Sequence, residues 1–245
     1  MKITKSIISI AALAVGAMSH AATIFSTGFE APDYADGSTV SGSNGWESLN
    51  GNPTGTIQHN WAQSGSQALQ LSKSGDSNYQ GISISHPGYG STTQNPVMQL
   101  EWDMMIISGD QPTGFWGVAD SYSGLDRIAV GVSAGKKLTL RSAWIGTVET
   151  NVPVISQIWN HFRVDLNYLA GGADVYLNNG YVGSYGLLPV ASPEHGQIVI
   201  FGNNVGSDFA IVDNLNFSGS PVPEPASSMA LAVGALALLK RRAKR

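Results

Sequence analysis

Cysteine is absent from this chain of 245 residues. Its absence excludes a disulfide framework, a thiol nucleophile and a zinc site built on thiolates. Paired histidine ligands are missing as well, because the histidines at positions 59, 86, 161 and 195 stand singly, without a spacing such as His-x-x-x-His. A packed core must therefore provide the stability, and only a metal held by oxygen ligands could add to it.

The N-terminus carries a short apolar run of the kind found in secretory signal peptides. Lys2 and Lys5 form a basic region, residues 7–17 form the apolar region, and small residues occupy positions 19 and 21. We therefore predict a signal peptide over residues 1–21 that is cleaved after Ala21. A first transmembrane helix is the alternative, which the short run and the lack of following stop-transfer charges disfavour.

The C-terminal residues 221–245 combine three features in a fixed order. A Pro-Glu-Pro motif is followed by an apolar run from about residue 226 to residue 239, and five of the last six residues are basic. The run is shorter than the roughly 20 residues of an ordinary spanning helix, and the basic end favours the cytoplasmic side. The arrangement resembles the PEP-CTERM sorting signal of Gram-negative bacteria, whose motif residues here are Pro223, Glu224, Pro225, Arg241 and Arg242.

This resemblance implies a destination rather than an activity. It implies recognition by an exosortase-like sorting enzyme and transient contact with the inner membrane through a short C-terminal hydrophobic helix. It further implies delivery to the cell surface or the extracellular matrix. The alternative is a tail that is apolar and then basic without any sorting role.

The segment between these ends, residues 22–220, is acidic. It holds six basic residues against sixteen acidic ones, a net charge of −10, compared with −4 for the whole chain. Such a surface repels phosphate backbones, so no nucleic acid is expected as a partner, and it disfavours charge-driven capture of acidic polysaccharides. No solenoid repeat and no linker divides the segment, and we therefore predict one domain over residues 22–220.

Period-two alternation, broken by glycine and asparagine, dominates this domain. Residues 98–106 and 158–168 alternate apolar and polar side chains, with Asn160 as a polar exception on the inner side. Asn179 and Gly180 are predicted to form the tight turn of the following hairpin. About a dozen short strands and no helical periodicity predict an all-β fold, specifically an antiparallel β-sandwich.

Several motifs resemble jelly-roll modules of the concanavalin A-like and carbohydrate-binding type. These motifs are residues 25–30, Gly45-Trp46, residues 64–71 and residues 211–215. Residues 159–166 and 175–180 are also similar to the paired strands of laminin-G-like and pentraxin-like sandwiches. The resemblance implies a jelly roll, but this fold hosts lectins, glycanases, lyases and inert spacers, so it does not determine the function.

The same resemblance implies a structural calcium ion. In carbohydrate-binding jelly rolls, an acid after the first strand and an Asp near the last strand hold the chain ends together through an oxygen-coordinated ion. Glu30 and Asp213 match these positions, and carbonyls near Gly65 or Ser66 could complete the ligand shell. The alternative is that Glu30 is a surface acid and that Asp213 only orients the last strand.

Two sets of residues are weak catalytic candidates. Glu101 and Asp103 share one face of a strand and resemble the start of the laminarinase-type Glu-x-Asp-x-x-Glu motif, but Ile106 stands where the second Glu is required. His161 and Arg163 share an outer face with a tyrosine of the predicted neighbouring strand, as a polysaccharide lyase would need. Solvated acids and cross-strand charge pairs explain the same residues without catalysis, which favours a non-enzymatic protein.

Aromatic residues supply candidates for stacking on sugar rings. Trp102 and Trp144 follow the buried parity of their strands, and we assign them to the core. The remaining candidates fall on the opposite parity or in loops rich in Gly and Asn, and we predict that they bind carbohydrate: Trp46, Trp61, Trp116, Trp159 and Tyr176. Core packing is the alternative for each of them.

The sequence therefore predicts an exported, non-enzymatic protein of the cell envelope or extracellular matrix that binds polysaccharide. A polysaccharide hydrolase or lyase on the same fold is the second hypothesis. A structural matrix protein without a ligand is the third.

Overall fold

The computed structural model describes residues 22–49, 55–72, 80–87, 97–107, 114–188, 195–204 and 209–220. Within these ranges, fifteen β-strands form two antiparallel sheets that pack face to face, and no α-helix is present. The predicted all-β sandwich is therefore confirmed. None of these ranges contains a helix that is long and apolar enough to span a membrane. The predicted signal peptide and sorting signal lie outside the described residues.

The first sheet, sheet A, contains both the earliest and the latest of the described strands. Its members are β1 (Ala22–Thr27), β3 (Gly55–Gln58), β4 (Ala68–Ser72), β6 (Val97–Ile107), β11 (Asn160–Asn167), β12 (Gly172–Leu177), β13 (Gly180–Gly186) and β15 (Phe209–Ser220). They are hydrogen-bonded in the order β13-β12-β11-β6-β15-β4-β3, and β1 also pairs with β15. The centre of sheet A therefore combines strands that are distant in sequence.

The second sheet, sheet B, covers the inner face of sheet A. Its members are β2 (Trp46–Ser48), β5 (Gln80–Pro87), β7 (Gly114–Tyr122), β8 (Leu125–Ser133), β9 (Lys137–Ser142), β10 (Gly146–Pro153) and β14 (His195–Asn204). They are hydrogen-bonded in the order β10-β9-β8-β7-β14-β5-β2. Because β14 in sheet B lies between β13 and β15 along the chain, the chain crosses between the sheets twice near its end.

The core between the sheets is built from alternate residues of the strands. On β11, every second residue from Phe162 to Leu166 is buried, and Trp102 of β6 stacks on Phe162 with ring centroids 5.2 Å apart. Burying a side chain of this size contributes roughly 1.5–3 kcal/mol. Asn160 is buried as predicted, and its Nδ2 donates to two backbone carbonyls of the preceding loop at 2.8 and 3.0 Å. The predicted alternation is confirmed on β11 and on the first half of β6, whereas the five residues from Trp102 to Ile106 of β6 are all buried. Ile158, which was predicted on the inner side, precedes β11 and is 46% exposed.

A pair of asparagines forms the turn between β12 and β13. Asn178 and Asn179 have φ values of 50° and 64°, the left-handed conformation that both central residues of a type I′ turn require. The prediction placed this turn at Asn179 and Gly180, one residue too late, and was wrong. The side-chain carbonyl of Asn178 also accepts a hydrogen bond from the His161 N–H at 2.8 Å, which ties the turn to β11.

Trp144 is exposed, which contradicts its assignment to the core. β9 ends at Ser142, and Trp144 lies in the β9–β10 turn with 65% of its surface exposed. The prediction extended the parity of Leu138 and Leu140 past the end of the strand, where the turn rotates the side chain outward. Trp102, which was assigned to the core by the same reasoning, is fully buried.

A buried ion pair between two strands of sheet B contacts sheet A through Tyr168 at one end of the sandwich. Arg127 and Asp120 have no exposed surface, and Nη1 of Arg127 lies 3.4 Å from Oδ2 of Asp120. Tyr168 follows β11 of sheet A, and its hydroxyl donates to the same oxygen at 2.7 Å. The guanidinium also lies 5.3 and 5.1 Å from the ring centroids of Tyr122 and Tyr168. Burial raises the pKa of Asp120 to about 6, against the lowering effects of Arg127 and Tyr168.

Removing one partner of this pair should destabilise the protein more than removing both. Asp120→Leu and Arg127→Met should each lower the free energy of unfolding by about 3–5 kcal/mol, because each leaves a polar or charged partner buried without compensation. The double variant should lose less than either single variant. Urea unfolding of the four proteins at pH 8 measures the differences, and losses that simply add would contradict the expected coupling.

Candidate functional site

Three adjacent strands of sheet A bring the catalytic candidates and Tyr176 onto one surface, which we call the outer face of sheet A. His161 of β11 lies opposite Asp103 of β6. Two residues further along, Arg163 lies between Glu101 of β6 and Tyr176 of β12. The alternation of these strands therefore places His161, Arg163 and Tyr176 on one face, in the arrangement that the sequence indicated.

An imidazole and a carboxylate form a polar contact on this face. Nδ1 of His161 lies 2.9 Å from Oδ1 of Asp103, and the side-chain amide of Asn214 donates to Oδ2 of Asp103 at 2.7 Å. Asn214 can reach Asp103 because β15 has a bulge between Asp213 and Asn216, where Asn214 adopts a φ of 50°. Asp103 thus orients the imidazole, which is about one third exposed and can exchange a proton or a hydrogen bond with a ligand.

Arg163 lies beneath an aromatic pair at the β12 side of the face. Its guanidinium carbon lies 3.7 Å from the ring centroid of Tyr176, and its Nη2 donates to Asp165 at 3.2 Å. The Tyr181 ring meets the Tyr176 ring edge-on, with centroids 5.5 Å apart. Gln99 donates to the second oxygen of Asp165 at 2.8 Å. Packing and hydrogen bonding therefore hold this half-buried cation and its tyrosine ring in one geometry.

A second group of aromatic side chains lies on the outer face of sheet A, at one end of the strands. Val97 and Ser220 lie at the other end. The Trp61 and Phe209 rings have centroids 5.7 Å apart, and Phe209 and Trp159 pack against the buried side chains of Met105 and Ile211. Trp61 is 41% exposed. We call Trp61, Trp159 and Phe209 the aromatic patch. Two of its members were predicted from the sequence as carbohydrate-binding residues.

Two other tryptophans predicted to bind carbohydrate cannot do so, because they lie in the core. Trp46 is 1% exposed, begins β2, and donates from its ring nitrogen to the Tyr34 hydroxyl at 3.1 Å. Trp116 is 6% exposed and packs so closely on Gly202 that a β-carbon there would lie 2.0 Å from its ring. The prediction failed for Trp116 because its strand is apolar on both faces.

Glu30 and Asp213 come together, as the resemblance implied, on either side of one loop. Asp213 Oδ2 accepts hydrogen bonds from the N–H groups of Gln63 and Ser64 at 2.8 and 3.0 Å. Glu30 Oε1 accepts from the N–H groups of Ser66 and Gln67 at 2.9 and 3.0 Å. The loop that follows Trp61 is therefore held by two carboxylates through its backbone.

The two carboxyl groups have pKa values shifted in opposite directions. Burial raises the pKa of Glu30, but hydrogen bonds from Gln67 and Ser66 outweigh this effect and leave it below its usual range. Burial also raises the pKa of Asp213, and there the hydrogen bonds from Ser64, Asn214 and Gln63 do not compensate. The proximity of Glu30 raises the pKa of Asp213 further. In the ranges that the structure describes, no group of three or more potential metal-ligating side chains is found.

Sequence reasoning missed three groups of contacts that shape the surface. Asn214 was missed because a bulge breaks the parity of β15, and Phe209 was missed because its ring partner, Trp61, lies in a loop. On the outer face of sheet B, Arg141 donates to Asp126 and lies 5.3 and 5.9 Å from the ring centroids of Phe201 and Phe115. The alternation of β9 could have identified Arg141 as outward-facing, but not its aromatic partners on distant strands.

Comparison with protein-family models and with curated proteins finds no match. Comparison with solved structures finds many similar sandwiches. The conserved carbohydrate esterase from the Shiga toxin-encoding bacteriophage phi24B matches with a TM-score of 0.59 and 10% identity, over 82% of this chain and 100% of that chain. The endo-β-1,4-glucuronan lyase from the fungus Trichoderma reesei matches with a TM-score of 0.53 and 12% identity, over 81% and 96% of the two chains.

A sialidase is also similar, with a TM-score of 0.54 and 13% identity over 76% of this chain. The chain spans only 18% of the length of that sialidase. At these identities the likenesses show the fold alone, a sandwich of two antiparallel β-sheets.

The opposite pKa shifts of Glu30 and Asp213 predict opposite effects on acid stability. Folding lowers the pKa of Glu30, so the carboxylate contributes to the stability of the folded protein at pH values above its unfolded pKa, near 4.3. This contribution is lost as the pH falls through the folded pKa. Glu30→Gln should therefore flatten the decline of the melting temperature between pH 5 and pH 3. Folding raises the pKa of Asp213, so this residue contributes fully to the stability of the folded protein below its unfolded pKa. This contribution is lost as the pH rises through the folded pKa.

Asp213→Asn should consequently steepen the decline of the melting temperature on the acid side. Thermal unfolding followed by circular dichroism measures both slopes. Equal slopes for the wild type and both variants would show that these carboxylates do not contribute through their folded-state hydrogen bonds.

Proposed function

We propose that the protein binds polysaccharide through the outer face of sheet A, without catalysing a reaction. The observation that carries this proposal is the position of the aromatic patch beside the polar residues His161, Asp103 and Asn214 on one rigid sheet face. Sugar rings present apolar C–H faces that pack on exposed aromatic rings, and their hydroxyl groups need fixed donors and acceptors. Trp61 and Tyr176 supply rings at separate points of the surface.

The charges of the face favour neutral over acidic polysaccharides. Four acidic side chains point outward from β6, β11 and β12: Glu101, Asp103, Asp165 and Asp174. Arg163 is the basic side chain of these strands, and it is already paired with Asp165. A uronic acid polymer would therefore meet an excess of like charge, whereas neutral sugar hydroxyls can donate to the carboxylates.

The structural neighbours support carbohydrate as the ligand at a coarse level, without distinguishing neutral from acidic polymers. The names of the three neighbours describe enzymes that act on carbohydrates: an esterase, a glucuronan lyase and a sialidase. Because the sequences share so little, this support extends to the kind of molecule and not to residues or chemistry.

The proposed location is the cell surface or extracellular matrix of a Gram-negative bacterium. The support is the sequence at both ends of the chain, namely the signal peptide over residues 1–21 and the sorting motif at residues 223–225 with its apolar run and basic end. An exosortase-like enzyme is the proposed sorting partner. The inner membrane would be contacted transiently during export.

Replacing the aromatic residues of the outer face should weaken retention on a polysaccharide. Trp61→Ala, Trp159→Ala and Tyr176→Ala should each weaken binding roughly tenfold, which corresponds to about 1.4 kcal/mol per contact. Affinity electrophoresis in gels cast with neutral and acidic polysaccharides, including the exopolysaccharide of the host, measures the effect. Stronger retention on neutral polymers is expected.

Trp144→Ala is the matched control, because Trp144 is an exposed tryptophan in a turn at the far end of the sandwich. It should leave retention unchanged. A wild-type protein that migrates freely in every gel would contradict polysaccharide binding and favour a structural matrix role. Thermal unfolding of each variant excludes loss of fold as the cause of weaker binding.

A polysaccharide lyase is the second candidate function, and one observation favours it. His161 is oriented by Asp103, and Arg163 lies on the same strand, so a base and a cation face one surface. A hydrolase that uses Glu101 and Asp103 is less supported, because Ile106 occupies the place of the second acid. New unsaturated products from the retained polymer, abolished by His161→Ala, would establish the lyase.

A structural calcium ion at Glu30 and Asp213 is also part of the proposal. In the described ranges, neither carboxylate forms an ion pair with a basic side chain, and the buried side-chain oxygen of Gln67 has no hydrogen-bond partner. Carboxylate and carbonyl oxygens are the ligands that calcium prefers. These residues therefore fit the ion, which would link the segment after β1, the loop after Trp61 and β15.

Chelation should lower the melting temperature if calcium is bound. An excess of calcium about 100-fold above its dissociation constant would stabilise the folded protein by about 2.7 kcal/mol. Thermal unfolding with calcium and with EGTA should therefore differ for the wild type, and the difference should vanish in Glu30→Gln and Asp213→Asn. Identical unfolding in both buffers would contradict a bound ion and leave the carboxylates as anchors of the loop alone.

A further inference from the structure

Three hairpin turns meet at one end of the sandwich. They are the β7–β8 turn at residues 122–125, the β9–β10 turn at 143–146 and the β11–β12 turn at 168–171. The Ala143 N–H donates to the carbonyl of Asp126 at 3.1 Å, which joins the first two turns. The segment after β13 joins the third, because the N–H groups of residues 187 and 188 donate to Gly171 and Arg127 at 2.9 and 3.3 Å.

These three turns contain no charged residue, and each exposes a large apolar side chain. Their sequences are Tyr-Ser-Gly-Leu, Ala-Trp-Ile-Gly and Tyr-Leu-Ala-Gly. Leu125 is 52% exposed, Trp144 is 65% exposed and Leu169 is 77% exposed. We call these three residues the apolar tip. At the opposite end of the sandwich, the β8–β9 turn contains Lys136 and the β12–β13 turn contains two asparagines, which is the usual polar composition of turns.

Two of the three turns contact the buried ion pair. Tyr122 and Tyr168 each belong to one of these turns, and the Arg127 guanidinium lies 5.3 and 5.1 Å from their ring centroids. The hydrogen bond from Tyr168 to Asp120 links a turn of sheet A to a strand of sheet B. The exposed side chains are thus presented on a fixed support, so little ordering is required when they bind a surface.

Ala22 and Ser220, the first and last residues that the structure describes, both lie at this same end of the sandwich. Ser220, the last residue of β15, lies opposite Val97 of β6, and Val97 lies opposite Asn167, just before the third turn. Ala22, the first residue of β1, lies opposite Gly219. The apolar run at residues 226–239 is therefore separated from the tip end by only residues 221–225, which span at most about 18 Å.

We propose that the apolar tip docks on the interface of the lipid bilayer that receives the apolar run at residues 226–239. Leucine and tryptophan at turn tips can enter the interfacial region, where tryptophan is favoured, and the turns carry no charge that would have to be desolvated. Five residues of tether make this second contact effectively intramolecular, so a small apolar surface is sufficient. A lipid surface is favoured over a protein groove because the three side chains project from separate convex turns.

A single cysteine label tests this docking, because the chain contains no cysteine of its own. The full chain with Leu169→Cys, labelled with an environment-sensitive nitrobenzoxadiazole dye, is reconstituted in phosphatidylcholine–phosphatidylglycerol vesicles with and without brominated lipids. The emission should shift to the blue and be quenched at least threefold more than that of an Asn179→Cys label at the opposite end. A Ser228→Cys label reports separately whether the apolar run is inserted.

If the label at position 228 is quenched but the label at position 169 behaves like the label at position 179, the proposal is overturned. No quenching at any of the three positions would overturn it equally. Adding Leu125→Ser and Trp144→Ser to the Leu169→Cys protein should abolish the difference between positions 169 and 179 while quenching at 228 persists. Because both positions are exposed, urea unfolding of this variant should match that of the labelled parent.

Discussion

The stacking of Trp102 on Phe162 determines which side chains the outer face of sheet A can present. In a β-strand the side chains alternate between the two faces, so strands that turn these rings inward must turn Asp103 and His161 outward. A shift of the strand register by one residue would bury the polar side chains and expose the aromatic core, which would destabilise the fold. The register of the central strands and the composition of the surface therefore have one cause.

Hydrogen bonds from backbone N–H groups to carboxylates replace covalent links in this cysteine-free domain. Glu30 and Asp213 lie more than 180 residues apart in sequence and bind neighbouring N–H groups of one loop. Carboxylate acceptors bind such groups more strongly than neutral acceptors do. At the other end of the sandwich, Arg127 and Asp120 provide a comparable link through buried charge. Each end of the molecule is thus stabilised by electrostatic contacts around an apolar centre.

The parts of the fold that could be predicted are the strands with one buried face. β11 and the first half of β6 alternate, so their sidedness, and with it the common face of His161, Arg163 and Tyr176, follows from the sequence. β7 is apolar on both faces, which is why Trp116 was placed outside although it is buried. Trp144 was misplaced because parity ends where a strand ends. Contacts such as Asn214 with Asp103 depend on a bulge and a positive φ, for which the sequence carries no periodic signal.

The strands of sheet A run from the end of the sandwich that carries the three uncharged turns to the end that carries the aromatic patch. β6 has 11 residues, and a strand rises about 3.3 Å per residue, so the two surfaces are separated by about 36 Å. A molecule fixed at one end would hold a polymer at a constant height set by backbone geometry. That height would not respond to ionic strength, unlike the thickness of a layer maintained by charge repulsion.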